Sequence, residues 1–532
     1  MKRKESFPID KTLLNKLTNV FNKLKKPETN SNKYVYVNLS MVRLQMIWVL
    51  PKLLYGMGAA EADGAKVAAI TWNENKEFTE FLSSLGIDHV CLETENRKNI
   101  IAGFKAVWTS LLFVLKNAKG EDLQNLKING LPAGRAIYED ILRTSELSTI
   151  RTVRNKVCIK KMIHILWMVY SLDSYLKKHN PVFCIADDIA YHEGIQLALF
   201  KKYGAKVYNM NIIGDSKVYF NNDYTITRWG EIRCQEYHDE ITKIGKEAVK
   251  KAEELLDQRF HGKNGRDIDR GAFCGKEVIN REEAEKKLGL EHGKKNIVIM
   301  AHTFTDAIFN YGNTCYKDYY DWIEKTLMIA RRNDTVNWIL KPHPTRKAYH
   351  ESADSIESMF ERNKENNMYF MSDDISAESI KDIADVMITI GGNAGAEFSC
   401  FGIPVIILGK PYYRGFGYTI EPKTQEEYEE LLLNIETITK LNYEQIETAK
   451  KVFFLRNTLE KTPCKFNDDL FQILRKQDKK MSDEYALEMF ESNEGSDKYN
   501  NDIIEELIDY FENFEIKNCQ YYMRGKERAN EE

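Results

Sequence analysis

Apolar and polar positions along this 532-residue chain alternate between two periods, and the alternation itself predicts most of the architecture. From Tyr34 the pattern reads strand (Y-V-Y-V-N-L), helix (Met41 to Met57), strand (K-V-A-A-I-T-W), helix (Lys76 to Leu85) and strand (D-H-V-C-L). Short apolar runs separated by helix-period segments are the mark of βαβ units in a parallel sheet. A helical stretch follows, containing I-N-G-L-P-A-G-R-A-I-Y-E-D-I-L-R at 128–143 and a strongly apolar helix at 160–176. The strand P-V-F-C-I-A, a helix to Tyr203 and the strand A-K-V-Y-N-M close this first series.

Residues 243–292 are dominated by Lys, Glu, Arg and Gly and carry no sustained apolar strand. They predict a helix and an exposed linker, with a domain boundary between them. A second βα series then opens with N-I-V-I-M at 296–300 and runs through W-I-L (338–340), M-Y-F-M, V-M-I-T-I (386–390) and P-V-I-I-L (404–408). The expected division is a basic amphipathic extension at 1–30, an N-terminal Rossmann-like domain at 31–250, a linker at 251–292, a C-terminal Rossmann-like domain at 293–464 and an acidic helical extension at 465–532.

Composition narrows the class. A net charge of −4 gives no general reason to expect nucleic-acid binding. The ends differ in sign: residues 1–35 hold nine Lys/Arg against three acids, and residues 482–532 hold fifteen acids against five bases. Leu13, Leu14, Leu17, Val20, Phe21 and Leu24 recur at helical spacing among lysines, so the basic end predicts an amphipathic helix suited to peripheral contact with an anionic membrane. The nine cysteines are scattered and never spaced C-x-x-C, which fits a reducing cytoplasm and predicts no metal site.

Candidate chemistry gathers where strands end. Gly391, Gly392, Asn393, Ala394 and Gly395 follow one strand and open a helix holding Glu397; backbone N–H groups there suit a phosphate, and Glu397 suits ribose hydroxyls. The spacing is neither a P-loop nor G-x-G-x-x-G, which disfavours ATP hydrolysis and nicotinamide chemistry. Lys341 and His343 follow the W-I-L strand, positioned to neutralise a departing phosphate, with Pro342 and Pro344 keeping that loop out of helix. His302 and Asp306 follow the first strand of the second series. Asp187, Asp188, His192 and Glu193 collect past a strand end in the first series, where an acceptor hydroxyl would need a base.

K-P-H-P at 341–344, I-T-I-G-G-N-A-G-A-E at 388–397 and F-G-I-P-V-I-I-L-G-K-P-Y-Y-R-G-F-G-Y-T at 401–419 resemble the GT-B glycosyltransferases of capsule and surface polysaccharide biosynthesis, the capsule Kdo transferases among them. Tyr413 and Phe416 stand at that family's aromatic positions. The resemblance implies an α/β GT-B fold, two Rossmann-like domains facing across a cleft, with the nucleotide on the C-terminal one and the acceptor on the N-terminal one. It implies a nucleotide-activated sugar donor, a glycan or glycolipid acceptor, no cofactor, and His343 on the donor phosphate. Kdo and sialic-acid transferases of this kind pair His-Pro with Gln-Pro; this chain contains no Gln-Pro, which leaves the sugar open. A CDP-polyol glycerophosphotransferase of teichoic-acid type and a non-catalytic scaffold in polysaccharide assembly are the alternatives.

Overall fold

The computed structural model describes residues 32–458 except 41–45, 146, 187–189, 212–216, 221–233, 235–236, 262–271, 310, 313, 345 and 347–353, together with five positions between 12 and 19. Asp187, Asp188, nearly all of the basic extension and the whole acidic extension therefore lie outside the described residues. Contacts divide the chain into two α/β units, the first drawn from Met1–Ile137 and Thr152–Tyr224, the second from Tyr138–Arg151 and Thr225–Glu460.

The first unit is built on β1 (Lys33–Asn38), β2 (Lys66–Thr71), β3 (Asp88–Cys91), β6 (Asn180–Ala186), β7 (Lys206–Asn211) and β8 (Lys217–Phe220), ordered β3-β2-β1-β6-β7-β8. All pairs are parallel except β7 with β8. Between β3 and β6 the chain inserts helices Leu92–Lys98, Ile100–Lys116, Gly134–Ser145 and Lys156–Leu176. Residues 128–133 were expected inside a helical stretch but make a hairpin of β4 (Lys127–Ile128) and β5 (Leu131–Pro132). Asn129 and Gly130, at φ 50° and 84°, supply the two left-handed residues of a tight hairpin turn, a geometry a helix excludes.

The second unit holds β9 (Asn296–Met300), β10 (Asn337–Lys341), β11 (Met368–Phe370), β12 (Val386–Thr389), β13 (Val405–Ile407) and β14 (Thr419–Ile420) in the order β11-β10-β9-β12-β13-β14, all parallel. Every residue of β10, β12 and β13 is buried, as expected for strands covered by helices on both faces. Both units thus bear out the expected class, a Rossmann-like α/β pair.

The described residues of 251–292 depart from the expected exposed linker. Helix Glu247–Phe260 buries Ala248, Ala252, Leu256 and Phe260, an i, i+4 stripe hidden among charges. Phe260, Phe273, Ile279, Ala284 and Leu290 join Val298, Ile339, Met387 and Phe398 in one core cluster. The second unit also takes in 138–151, far upstream in sequence. Tyr138 Oη and Thr149 Oγ1 each donate to the buried Asp318 carboxylate at 2.6 Å, and Glu139 accepts from Phe309 N at 2.8 Å. Among the described residues no single helix is long and apolar enough to cross a membrane.

Candidate functional site

In an open parallel sheet, the carboxyl ends of two strands whose connections leave in opposite directions create a crevice. In the second unit that reversal falls between β9 and β12, and a cavity of about 230 Å³ opens there. His302 and Asp306 enter it from the loop after β9, Lys341 and His343 from the end of β10, and Gly392, Asn393, Ala394 and Glu397 from the turn and helix after β12. The structure therefore brings together the candidates that the second series suggested.

Their roles divide once the contacts are read. Gly391 and Gly395 do not line the cavity; they make room beneath it. A Cβ on Gly395 would lie 2.2 Å from Tyr413 Oη, and one on Gly391 would lie 2.8 Å from Tyr311 Cδ1. The close approach lets Tyr413 Oη donate to Gly392 O at 2.8 Å and so hold the turn. Arg456 hydrogen-bonds the Asn393 side chain from behind and stacks over Tyr412, its guanidinium 4.6 Å from the ring centre. Phe416 stacks on His238 at 3.8 Å between ring centres, away from the lining.

His302 is fixed by Thr389, whose Oγ1 lies 3.1 Å from His302 Nε2 and also accepts from Gly392 N at 3.4 Å. Tyr319 packs against the imidazole at 4.7 Å between ring centres. Burial, helped by the neighbouring His343, pushes its pKa down to about 3. Burial and the Arg346 guanidinium also lower His343, while Asp306 opposes them. Both imidazoles are therefore neutral at pH 7.

Lys341 was expected on a phosphate, yet its ammonium is engaged within the fold. Nζ donates to Ser372 O and Ile375 O, both at 2.7 Å, tying the end of β10 to the loop after β11. Burial first, then Lys276, bring its pKa down to about 8. Glu397, expected on ribose, is buried with its Oε1 2.8 Å from Arg259 Nε, and the two side chains are only 3% and 13% exposed. That pair belongs to the cavity wall. Arg259, Lys276, Tyr311, Tyr319, Thr389 and Asp373 are lining residues that the sequence reading missed. For Arg259 a signal existed, the apolar stripe that makes its segment a packed helix rather than a linker.

Three bases (Arg259, Lys276, Lys341) and three acids (Asp306, Asp373, Glu397) line the cavity, so its fixed charges balance.

In the first unit the strand order reverses between β1 and β6. At that edge Asn38 Nδ2 donates to Gln196 Oε1 at 2.7 Å and Ser40 Oγ donates to the same oxygen at 3.2 Å. His192 and Glu193 begin helix Tyr191–Lys202 and are buried, 8% and 0% exposed. His192 packs on Trp72 at 4.5 Å between ring centres, and His164 covers Trp72 at 5.0 Å.

No curated protein matches the chain in sequence. Among solved structures, it resembles the β-Kdo 2,4-transferase KpsC of Thermosulfurimonas dismutans at 11% identity, covering 52% of this chain and 80% of that one with a TM-score of 0.33. It resembles Anabaena HepE in complex with UDP at 9% identity, covering 84% and 100% with a TM-score of 0.28. A glycosyltransferase of Rickettsia africae is 10% identical over 83% and 99%, with a TM-score of 0.26. Likeness at this level carries no argument about chemistry. The sequence match is more local: residues 274–434 fit the model of the capsule polysaccharide biosynthesis protein family, a span that runs from Lys276 through the 391–395 turn to Tyr413. Over residues 274–434, which supply most of the lining of its switch-point cavity, this chain is similar to the capsule polysaccharide biosynthesis proteins.

Proposed function

We propose that the chain is a glycosyltransferase that moves a sugar from a nucleotide-activated donor to a surface or capsular polysaccharide acceptor, lipid-linked and met at the cytoplasmic membrane face. The observation that supports this reading is the switch-point cavity of the second unit, in which the glycine turn, two neutral histidines and Glu397 of the family-matched span converge with Arg259 from the helix before it. A nucleotide phosphate seats on the N–H groups of Asn393 and Ala394, where the turn lines the cavity, with His343 and His302 as donors to its oxygens. In the transfer, the bond from the anomeric carbon to the phosphate oxygen breaks and the nucleotide keeps the electron pair. The acceptor oxygen forms the new bond and gives its proton to a base. Asp187, Asp188, His192 and Glu193 of the first unit are the candidates for that base. Donors aimed at the leaving phosphate stabilise the charge that develops there, with no resident metal required.

The reading is tested by thermal shift of the full chain with CMP-, CDP-, UDP- and GDP-linked compounds. A ligand at about 100 times its Kd adds roughly 2.7 kcal/mol to the folded state. At ~2–4 °C per kcal/mol, that is a rise of several degrees. One nucleotide class should raise the melting midpoint of the wild type and not of a His302→Ala, His343→Ala double variant. If no nucleotide shifts the wild type, the donor reading fails; a shift by CDP-glycerol, with turnover of that compound and of no nucleotide sugar, would replace sugar transfer by polyol-phosphate transfer.

A further inference from the structure

Among the described residues, helix Ile100–Lys116 has a whole face exposed. Ile100, Ile101, Phe104, Trp108 and Leu115 are 63%, 82%, 74%, 65% and 74% exposed, and Val107, Leu111 and Leu112 add 38%, 44% and 36%. At 3.6 residues per turn these eight fall within an arc of roughly 140°. The opposite side, Ala102, Gly103, Ala106 and Ser110, is buried. It is held tightly there: Trp167 Nε1 donates to Asn99 O at 3.0 Å, and a Cβ on Gly103 would come within 3.0 Å of the Trp167 ring. The helix is thus fixed to its unit along one side and presents large side chains along the other. Isolated exposed apolar residues are ordinary, but a contiguous row of this length marks a contact surface.

The charges around the row choose its occupant. From Asn96 to Gly120 there is no acid; Arg97, Lys98 and Lys119 pair with Glu93, Glu95 and Glu121 at the ends of that stretch, which leaves Lys105 and Lys116 beside the row, and from Thr152 to Lys161 there is again no acid, while Arg154, Lys156, Lys160 and Lys161 are present. The second stretch adjoins the first, since the Arg154 guanidinium donates to Val114 O, Leu115 O and Asn117 O at 3.3–3.4 Å. We infer that this face docks on an anionic lipid bilayer, with the apolar row lying in the headgroup boundary and the lysines and Arg154 against lipid phosphates. The helix lies on the bilayer and does not span it: seventeen residues extend about 25 Å, short of the ~30 Å hydrocarbon core. The preceding helix Leu92–Lys98 turns away at 94°, and one side of Ile100–Lys116 is committed to protein. This surface lies outside residues 1–27 in the sequence, and the inference does not rest on the donor site.

Co-sedimentation of the full chain with vesicles of phosphatidylcholine alone and of phosphatidylcholine with phosphatidylglycerol tests it. The wild type should prefer the anionic vesicles and lose binding as salt rises. Phe104→Ser, Trp108→Ser, Leu115→Ser together should weaken binding at least about tenfold with a nearly unchanged melting midpoint, because the three side chains are mostly exposed. Lys105→Glu, Lys116→Glu, Lys160→Glu should abolish only the preference for anionic lipid. A chain lacking residues 1–27 should keep the response to the serine variant. Anionic-vesicle binding by that variant within twofold of wild type overturns the inference. So does its conversion of a wild-type dimer to a monomer, which would make a second copy the occupant. Exposure of 100–116 to hydrogen exchange only after residues 465–532 are removed would assign the face to the chain's own acidic end, and also overturns it.

Discussion

Neutral imidazole is the state that the surroundings of His302 enforce, and that has two consequences at the scale of single residues. Its folded pKa of about 3 lies below that of the unfolded chain. Above pH 6.5 both states are neutral and the group contributes nothing; as pH falls below 6.5 the unfolded state takes up the proton first, and stability is lost progressively. Melting midpoints should therefore drop from pH 7 to pH 5, and His302→Gln should lessen the drop, a result that an unchanged slope would contradict. A bound phosphate reverses the preference by favouring imidazolium, so nucleotide binding should take up protons. Calorimetry near pH 6 in buffers of different ionisation heat would read that uptake directly. The Arg259–Glu397 pair makes a different prediction. Glu397→Gln leaves a buried guanidinium without its counter-charge and should cost about 3 kcal/mol in urea unfolding. Replacing both partners by Leu should cost less than that single change.

At the scale of elements, the turn after β12 works because two tyrosines occupy the space that glycine side chains would otherwise fill. Gly395→Ala forces a methyl into Tyr413 Oη and displaces the Gly392 carbonyl that this hydroxyl holds. The expected result is roughly 1–3 kcal/mol of lost stability and loss of the nucleotide-induced thermal shift. Adding Tyr413→Phe removes the nearest clash and should recover part of the stability; no recovery would place the damage elsewhere. Lys341 is the corresponding brace on β10. Lys341→Met leaves the partly buried Ser372 and buried Ile375 carbonyls without this donor, at about 1–3 kcal/mol.

For the whole molecule, the second unit is not a continuous stretch of chain. Residues 138–151 supply the hydroxyls that satisfy buried Asp318 and the carboxylate that accepts from Phe309 N. A fragment of 225–460 should therefore lack a cooperative melt that the same fragment linked to 138–151 regains; equal melts would show the segment to be dispensable. Five strands of each sheet and the glycine turn could be read directly, because a parallel strand buried on both faces must be a short apolar run and a βα turn near a helix start must tolerate close backbone approach; the edge strands β8 and β14 were not read. His302, His343 and the 391–395 turn were legible for the same reason, being tied to strand ends that periodicity locates. Periodicity says nothing about which strand ends become neighbours. Strand order put the ends of β9 and β12 at the reversal point, and long-range packing brought Arg259 from an apparently solvated stretch onto Glu397. It also turned Lys341 inward onto two carbonyls and left one face of Ile100–Lys116 bare. The sequence by itself determined the two α/β series and the loops able to carry chemistry, since those depend on local period and backbone freedom. Only the tertiary structure decided which charges are paired and which apolar face stays exposed, because pairing and burial are set by contacts between residues far apart in the chain.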